Sequence, residues 1–273
     1  MQTAHLFLPL QRELVSLLRG LEDSVWSRPT LARQWTVKDI AAHLLDTDLR
    51  RLSSQRDGYR PAPPAEDISD HRNLVAFINQ LNASWVAATQ RLSPRVLVDL
   101  LEWSGPRVAE LFASLPPDGP ARISVAWAGE ERSANWMDIG REYTEKWHHQ
   151  AQIREAVGAP GLNSRRWLGP VLKLSMYALP HAFRNVEATT GSALNVHIEG
   201  EAGGVRHILK EADGWRLRDG EAPAAAASVR LDVETAWRLF FNALERDEAE
   251  RRVEAAGVEE LCAAFLGVRS VMV

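Results

Sequence analysis

Cysteine is the scarcest chemistry-bearing residue in this sequence, since Cys262 is the only one in 273 residues. A single cysteine cannot form a disulfide within the chain, and it cannot build a cysteine-based zinc site within one chain. Cys262 stands in the apolar, helix-like run ELCAAFLGV, which favours a buried structural thiol over a nucleophile. Disulfide scaffolds and cysteine-based zinc sites are therefore excluded within one chain.

Long apolar runs and an excess of positive charge are also absent. No stretch approaches the roughly 18 apolar residues that a membrane-spanning helix needs, and the N-terminus lacks a basic segment followed by an apolar one. The formal net charge is -4, and no stretch interleaves basic with aromatic residues. We therefore expect a cytoplasmic protein that neither spans a membrane nor binds nucleic acid.

The length of the chain and a change in its hydrophobic period predict two domains. The first is expected over residues 1–160, where apolar residues recur at helical spacing, and the second over residues 165–273. Gly158, Pro160 and Gly161 lie between them and predict a linker. In the first domain the predicted helices are Leu6–Leu21, Thr36–Leu52, His71–Leu92, Pro94–Leu115 with a break or kink at Gly105 and Pro106, and Trp136–Val157.

The second domain is predicted to mix helices and strands. Alternating apolar and polar residues in LNVHIEG, VRHILKEADGWRLRDG and SVRLDV predict strands, with a hairpin in the second of these segments. Helical patterns cover Leu168–Phe183, Glu234–Leu244 and Val258–Phe265. In the first domain, RISVAW at residues 122–127 is read as a strand or an extended loop, and Gln55–Asp70 as a loop.

The helix predicted over Trp136–Val157 carries Glu145 and His149 four residues apart, so both side chains leave the same face. A carboxylate and an imidazole one turn apart suit zinc or a similar divalent ion, although two ligands alone do not make a site. The competing interpretation is that this face is exposed to solvent, because Trp136, Ile139 and Tyr143 form an apolar stripe on nearly the opposite side.

His43 is the candidate for a third ligand. It lies at the border of the apolar stripe of the helix that begins near Thr36, where its side chain can point into a space between helices. The alternative is a histidine at the edge of the core that is satisfied by a backbone carbonyl or a water molecule. His71 is expected to be exposed at a helix start, and His197 and His207 are expected on strands as cross-strand or surface residues.

Two segments of the first half resemble a known family. The segments are Trp35, Thr36, Val37, Asp39, His43 and Leu44, in the pattern W-x-V-x-D-x-x-x-H-L, and REYTEKWHHQAQIREAVG with its Glu-x-x-x-His. They resemble the DinB-like metal-binding helical bundles, and more closely the mycothiol-dependent maleylpyruvate isomerase family. The region Leu168–Val273 is similar to the small sterol-carrier-like domain that follows in that family. The resemblance implies a DinB-like four-helix bundle followed by a smaller sterol-carrier-like α/β domain.

The resemblance also implies a metal site with His43, Glu145 and His149 as ligands. His148 is the neighbour that competes with His149, but it lies about 100 degrees around the helix and cannot share its direction. Two histidines and a carboxylate leave an open coordination position, which is typical of catalytic zinc sites. Zinc is the expected ion, with nickel or another first-row ion as alternatives. Helical spacing places Asp46, Glu142 and Gln152 near the ligands as supporting partners.

Two functions follow as hypotheses. The first is a metal-dependent isomerase or transferase that uses a low-molecular-weight thiol, such as mycothiol, on a small electrophilic substrate. The second is a non-catalytic, metal-bearing protein that binds a small ligand, for example in a stress response. No arginine of the second domain can be matched to a substrate-binding position of the family, so maleylpyruvate itself is not carried over as the substrate. Catalytic and cofactor-binding residues are not assigned.

Overall fold

The structure is a computed structural model that describes residues 2–32, 34–62 and 71–270, without the side chain of His71. Within the described residues the chain forms two compact units. The N-terminal unit consists of Met1–Arg122 and Glu142–Gly161, and the C-terminal unit of Ile123–Arg141 and Leu162–Val273. A helical first part and a second part built on a β-sheet are thereby confirmed. No helix in the described part of the chain combines the length and the apolar character that crossing a bilayer requires.

The N-terminal unit is helical, and α1 and α2 both pack against α4. Buried side chains from α1, α2 and α4, together with Ile153 of α5, form one apolar cluster around Leu18, Ile40, Leu44 and Leu101. The helices that supply residues to this unit are α1 (Phe7–Arg19), α2 (Val37–Arg51), α3 (His71–Thr89), α4 (Pro94–Ser114) and α5 (Asn135–Val157), of which α5 contributes its part from Glu142 onward.

Helix α2 begins at a capping box formed by Thr36 and Asp39, which stand three residues apart. The Thr36 hydroxyl accepts a hydrogen bond from the Asp39 backbone N–H, and the Asp39 carboxylate accepts from the Thr36 backbone N–H at 2.9 Å. A π-helical turn, Leu52–Arg56, follows α2 and includes the first two residues of the loop predicted over Gln55–Asp70. Residues 63–70 of that loop lie outside the described residues. The side chain of His71 is also outside them, so its predicted exposure stays a prediction.

Helix α4 continues through Pro106, so the predicted break is wrong and a kink there stays a prediction. Gly105 stands beside the side chain of Gln11, and a Cβ at this position would lie 2.2 Å from Gln11 Cγ. The Gln11 amide donates to the Leu101 carbonyl at 2.8 Å, within the turn that the proline disturbs. Glycine at position 105 therefore lets α1 approach α4 closely.

Helix α5 starts one residue earlier than predicted and ends as predicted. Gly158 follows it with φ 71°, its N–H donates to Glu155 O at 3.2 Å, and the Ala159 N–H donates to Arg154 O at 2.8 Å. This pair of bonds is a Schellman motif, which requires the left-handed conformation that glycine adopts without strain. The end of α5 could therefore be predicted from the sequence.

The C-terminal unit is built on one sheet with strand order β3-β2-β1-β4-β5. β1 and β4 are parallel, and the other neighbouring pairs are antiparallel. Buried Leu194, Val196 and Ile198 of β1 alternate along one face, where Val229 and Leu231 of β4 continue the core. The strands are β1 (Ala193–Glu199), β2 (Gly204–Glu211), β3 (Gly214–Asp219), β4 (Ala227–Asp232) and β5 (Glu254–Gly257).

The helices of this unit agree with the predicted helical segments, except that Leu168–Phe183 divides into two helices at the 3-10 turn Met176–Ala178 and one further helix is present. The helices are α6 (Leu168–Ser175), α7 (Leu179–Ala182), α8 (Val233–Phe240), α9 (Arg246–Arg252) and α10 (Glu259–Leu266). Helix α9 and strand β5 were not predicted. Of the two alternatives predicted for RISVAW, the strand is wrong: its first residues form an irregular loop, and a 3-10 turn begins at Ala126.

The segment Ile123–Arg141 groups with the C-terminal unit, although the sequence predicts it in the first domain. Its contacts explain the grouping. The rings of Trp136 and Tyr177 lie 5.6 Å apart, and Gly140 is so close to α6 that a Cβ would lie 2.9 Å from Leu174 Cδ1. The first turns of α5 therefore pack as part of the C-terminal unit, whereas separate folding of residues 1–160 and 165–273 remains a prediction.

Candidate metal centre

Two histidines that lie far apart in the sequence meet between α2 and α5. The ring centroids of His43 and His149 are 4.8 Å apart, and the planes are inclined at 74°. His43 is buried, and the side chain of His149 is 12% exposed. The expectation that this face of α5 is exposed to solvent is therefore wrong, because α2 covers it.

Glu145 lies beside His149, as the four-residue spacing predicts. Its Oε2 is 3.7 Å from His149 Nε2, and its side chain is 29% exposed. Two ligands of a tetrahedral zinc ion at bond lengths of about 2.0–2.1 Å are separated by roughly 3.3 Å. The pair is therefore within a few tenths of an ångström of the separation that a shared ion requires.

Gln152 fixes the tautomer of His149. Its Nε2 can only donate and lies 3.2 Å from His148 Nε2, while its Oε1 can only accept and lies 2.9 Å from His149 Nδ1. His149 therefore carries its proton on Nδ1, and the lone pair is on Nε2, the nitrogen next to Glu145. His148 uses its own Nε2 as the acceptor for the same amide, so its lone pair is engaged.

His43 has a buried ring nitrogen, Nδ1, that forms no hydrogen bond with the described residues. Its Nδ1 has no hydrogen-bond partner among the described residues, so a protein carbonyl does not satisfy it. Burial holds the pKa of His43 well below its ordinary value, and the neighbouring His149 and Arg50 lower it further, against a raising effect of Glu142. His43 is therefore a neutral imidazole near neutral pH, the form that binds metal ions.

Trp35 lies against both imidazoles. Its ring centroid is 4.8 Å from that of His43 and 6.1 Å from that of His149. The indole is partly buried and stands immediately before the capping box that starts α2. An apolar ring in this position lowers the local dielectric constant and limits the access of water to the two histidines.

Of the three predicted supporting residues, Gln152 has a direct hydrogen bond to a candidate ligand, His149. Asp46 pairs with Arg50 at 3.2 Å, and burial raises the pKa of this carboxyl while Arg50 lowers it. Glu142 pairs with Arg51 at 2.9 Å, both side chains being more than nine-tenths buried. The carboxylates of Asp46 and Glu142 therefore form ion pairs with arginines of α2.

Comparison with known proteins identifies the family of the helical unit. The profile of the mycothiol maleylpyruvate isomerase N-terminal domain matches residues 7–154, which is 148 of the 273 residues. The chain belongs to this family. His43, Glu145 and His149 all lie within the matched range.

Solved structures from this family have a similar fold. Two crystal structures of the mycothiol-dependent maleylpyruvate isomerase, one of them of a histidine-to-alanine mutant, superpose with TM-scores of 0.53 and 0.51 at 13% identity. In both comparisons 94% of this chain and 95% of the other are covered. At this identity the similarity establishes the fold alone. No curated protein matches the chain.

The residues of the site offer the donor atoms that a divalent ion binds. Their donor atoms are not yet arranged around one common position. Among the described residues, no group of three or more His, Cys, Asp and Glu side chains is arranged to hold a metal as it stands. His43 nevertheless has an unpartnered Nδ1, and His149 and Glu145 turn a lone pair and a carboxylate oxygen towards each other. Imidazole and carboxylate are the donors that zinc and related ions take in catalytic sites.

A buried ion pair close to the site was missed at the level of sequence. Lys146 Nζ lies 2.7 Å from Asp48 Oδ1, with side chains 6% and 1% exposed. Ser104 donates to Asp48 Oδ2 at 2.8 Å, and Lys146 also contacts Gln11 Oε1 at 3.1 Å. Periodicity assigns charged residues to solvent, so no local signal marked this pair.

The remaining residues that were considered as candidates have other partners. His197 Nδ1 lies 3.4 Å from Glu221 Oε1, and His207 Nδ1 lies 2.9 Å from the Gly220 carbonyl. Both stand on strands, as predicted. Cys262 is buried in α10 with its thiol 3.7 Å from the Ala256 carbonyl, and burial raises its pKa. A thiol of this kind is a poor nucleophile at neutral pH.

Proposed function

We propose that this protein is a metal-dependent enzyme that uses a low-molecular-weight thiol, such as mycothiol, in isomerisation or group transfer on a small electrophilic substrate. His43, Glu145 and His149 are the proposed metal ligands, and zinc is the first ion to test. The thiol is supported by the family description and by the names of the relatives, which specify mycothiol.

The approach of His43 to His149 carries the proposal. The two imidazoles come from α2 and α5 and reach 4.8 Å between centroids, with Glu145 one turn before His149. A neutral buried histidine with an unpartnered nitrogen is unfavourable by about 1–3 kcal/mol unless something binds it. A shared cation supplies that partner for all three side chains.

The chain's own residues have distinct roles in this proposal. His43, Glu145 and His149 bind the ion, and Gln152 holds His149 with Nε2 free for it. Trp35 covers the two imidazoles on one side and limits the access of water. A divalent ion held by these residues would supply a Lewis acid that stabilises a thiol as its thiolate, the nucleophilic form.

Cobalt substitution tests the proposal directly. We expect the cobalt-loaded protein to gain sulfur-to-metal charge-transfer absorption when a small thiol is added, because soft thiolates bind such ions. An alcohol of the same size is the matched control and should leave the spectrum unchanged, since a hydroxyl stays protonated at neutral pH. The thiol effect should disappear in Glu145→Ala.

An unchanged cobalt spectrum at saturating thiol would rule out thiol use at this site. Metal binding without a thiol response would then favour the non-catalytic, metal-bearing ligand-binding protein. Absence of metal from the wild-type protein would remove the metal centre itself.

A further inference from the structure

The C-terminal unit contains a pocket between α6 and the start of β2, here called the α6–β2 pocket. It has a volume of about 290 Å³, at the lower end of the range of about 300–1,000 Å³ for small-molecule sites. Its lining residues are Arg165, Gly169, Leu172, Lys173, Met176, Ile198, Ala202, Gly203, Gly204, Val205, Arg206 and Asp219. All of them belong to the C-terminal unit.

The floor of the α6–β2 pocket is apolar. Leu172 of α6 and Met176 in the turn that follows α6 are each 3% exposed, and Ile198 near the end of β1 is 7% exposed. An alkyl chain placed here would gain contact with side chains that are already packed.

The charges around the α6–β2 pocket are unbalanced, with three cations and one carboxylate. Lys173 is exposed and has no carboxylate partner among the described residues, and the guanidinium of Arg165 donates to the Glu201 backbone carbonyl at 2.9 Å. The one carboxylate, Asp219, pairs with Arg206 at 2.6 Å and is 83% exposed. The pocket therefore presents net positive charge above an apolar floor.

Arg206 occupies an inward-facing position of the sheet. It alternates with buried Ile208 along β2 and stands opposite Val196 of β1, so its side chain leaves the core face of the sheet. Its Nη1 is buried and has no acceptor among the described residues, while the guanidinium lies 5.6 Å from the ring centroid of Tyr177. Pairing with Asp219 therefore leaves donor capacity on this arginine unused.

We propose that the α6–β2 pocket binds a small aliphatic carboxylate. The carboxylate group lies against Lys173 and Arg206, where charge-assisted hydrogen bonds are available. The alkyl chain lies on the apolar floor. This site goes beyond the proposed thiol chemistry and does not depend on a metal at His43, Glu145 and His149.

Calorimetric titration of the full chain with octanoate, and with 1-octanol as the neutral control, tests this site. We expect saturable 1:1 binding of octanoate that is at least tenfold tighter than that of octanol, because the alcohol offers no charge to the cations. Equal affinities for the two ligands, or no binding of octanoate, would overturn the proposal.

Two variants locate the binding. A Cβ at Gly204 meets no atom within 4 Å and the residue has no positive φ, so Gly204→Leu places a side chain in open space at the pocket and should abolish octanoate binding. Lys173→Gln removes one exposed charge and should weaken octanoate about threefold to fivefold without affecting octanol. Arg12→Gln, which removes an exposed charge from the N-terminal unit, is the matched control and should change neither affinity.

Folding of each variant is checked by its thermal midpoint and near-UV circular dichroism. A folded Gly204→Leu protein that binds octanoate like the wild type would overturn the site. Should that variant fail to fold, Lys173→Glu decides, because its exposed position leaves the core intact. We expect charge reversal to weaken octanoate binding by tenfold or more, and an unchanged affinity for octanoate would overturn the proposal, because the carboxylate would then not lie against Lys173.

Discussion

Asp48 of α2 and Lys146 of α5 form an ion pair of 2.7 Å that is almost completely buried. Lys146 directly follows Glu145, so this pair fixes α5 against α2 next to the proposed ligands. Arg51 and Glu142 form a second buried pair between the same helices at 2.9 Å. The position of Glu145 and His149 relative to His43 therefore rests on two cross-helix ion pairs.

Lys146→Met should destabilise the protein by about 3–5 kcal/mol, because it leaves Asp48 as a buried charge without its cation. Urea unfolding in the presence of a chelator measures this without any contribution from bound metal. Arg19→Ala is the matched control, since Arg19 pairs with Asp99 and Glu102 on the surface, and it should change stability by about 0–1 kcal/mol. A change below 1 kcal/mol for Lys146→Met would show that the buried pair does not hold the helices together.

Gly105→Ala should destabilise the protein by about 1–3 kcal/mol, although alanine favours helices. The added Cβ would meet Gln11 Cγ at 2.2 Å, and Gln11 cannot move away without losing its bonds to Leu101 and Lys146. Gly20→Ala is the control, because a Cβ there meets only ordinary contacts at 3.5 Å or more. Comparable unfolding midpoints for the two variants would contradict the close packing of α1 on α4.

The structure shows which parts of the fold can be read from local sequence. The start of α2 and the end of α5 were predicted because their signals, the Thr36–Asp39 capping box and Gly158, act within one turn. Helix α9 was missed because RDEAERR has no apolar face. Strand β5 was missed because EAAG is short and fully exposed, and it forms only by pairing with β4.

The candidate site also has a part that local sequence predicts and a part that depends on how the helices pack. Glu145 and His149 share a face by helical spacing alone, so the pair was evident from sequence. The burial of that face and the approach of His43 depend on how α2 packs against α5, which no local pattern specifies. Family resemblance supplied His43, and the contact between the rings of His43 and Trp35 was visible only in the structure.

Limited trypsin digestion should first cut the native protein after Arg165 or Arg166. Both arginines are exposed, and they lie between the end of α5 and the start of α6. The double variant Arg165→Gln with Arg166→Gln should resist this cut while unfolding at the same temperature. Cleavage confined to Leu168–Val273 would contradict a linker at this position.

Gln152→Ala should weaken metal binding about 10- to 100-fold, because His149 loses the acceptor that fixes its tautomer. Gln152→Glu keeps an acceptor oxygen for His149 Nδ1 and should retain more of the affinity. Competition with a chromophoric chelator measures both constants. Equal affinities for the alanine variant and the wild type would show that Gln152 does not orient the ligand.

The purified protein should contain about one divalent ion per chain, and His43→Ala, Glu145→Ala and His149→Ala should each lose it. Three protein ligands are the minimum of a catalytic zinc site, and removing one leaves only two to hold the ion. Elemental analysis after gel filtration measures the stoichiometry. Circular dichroism should show folded helices in each variant, because the buried ion pairs at Asp48 and Glu142 remain.

His148→Ala is the matched control, since His148 neighbours His149 on α5 but its Nε2 accepts from the Gln152 amide. This variant should keep most of its metal, with a reduced affinity because Gln152 becomes less well held. Full occupancy in His149→Ala together with loss of metal in His148→Ala would reverse the assignment of the two histidines. It would also require the Gln152 amide to be turned over, because His149 would then be the residue whose lone pair accepts from that amide.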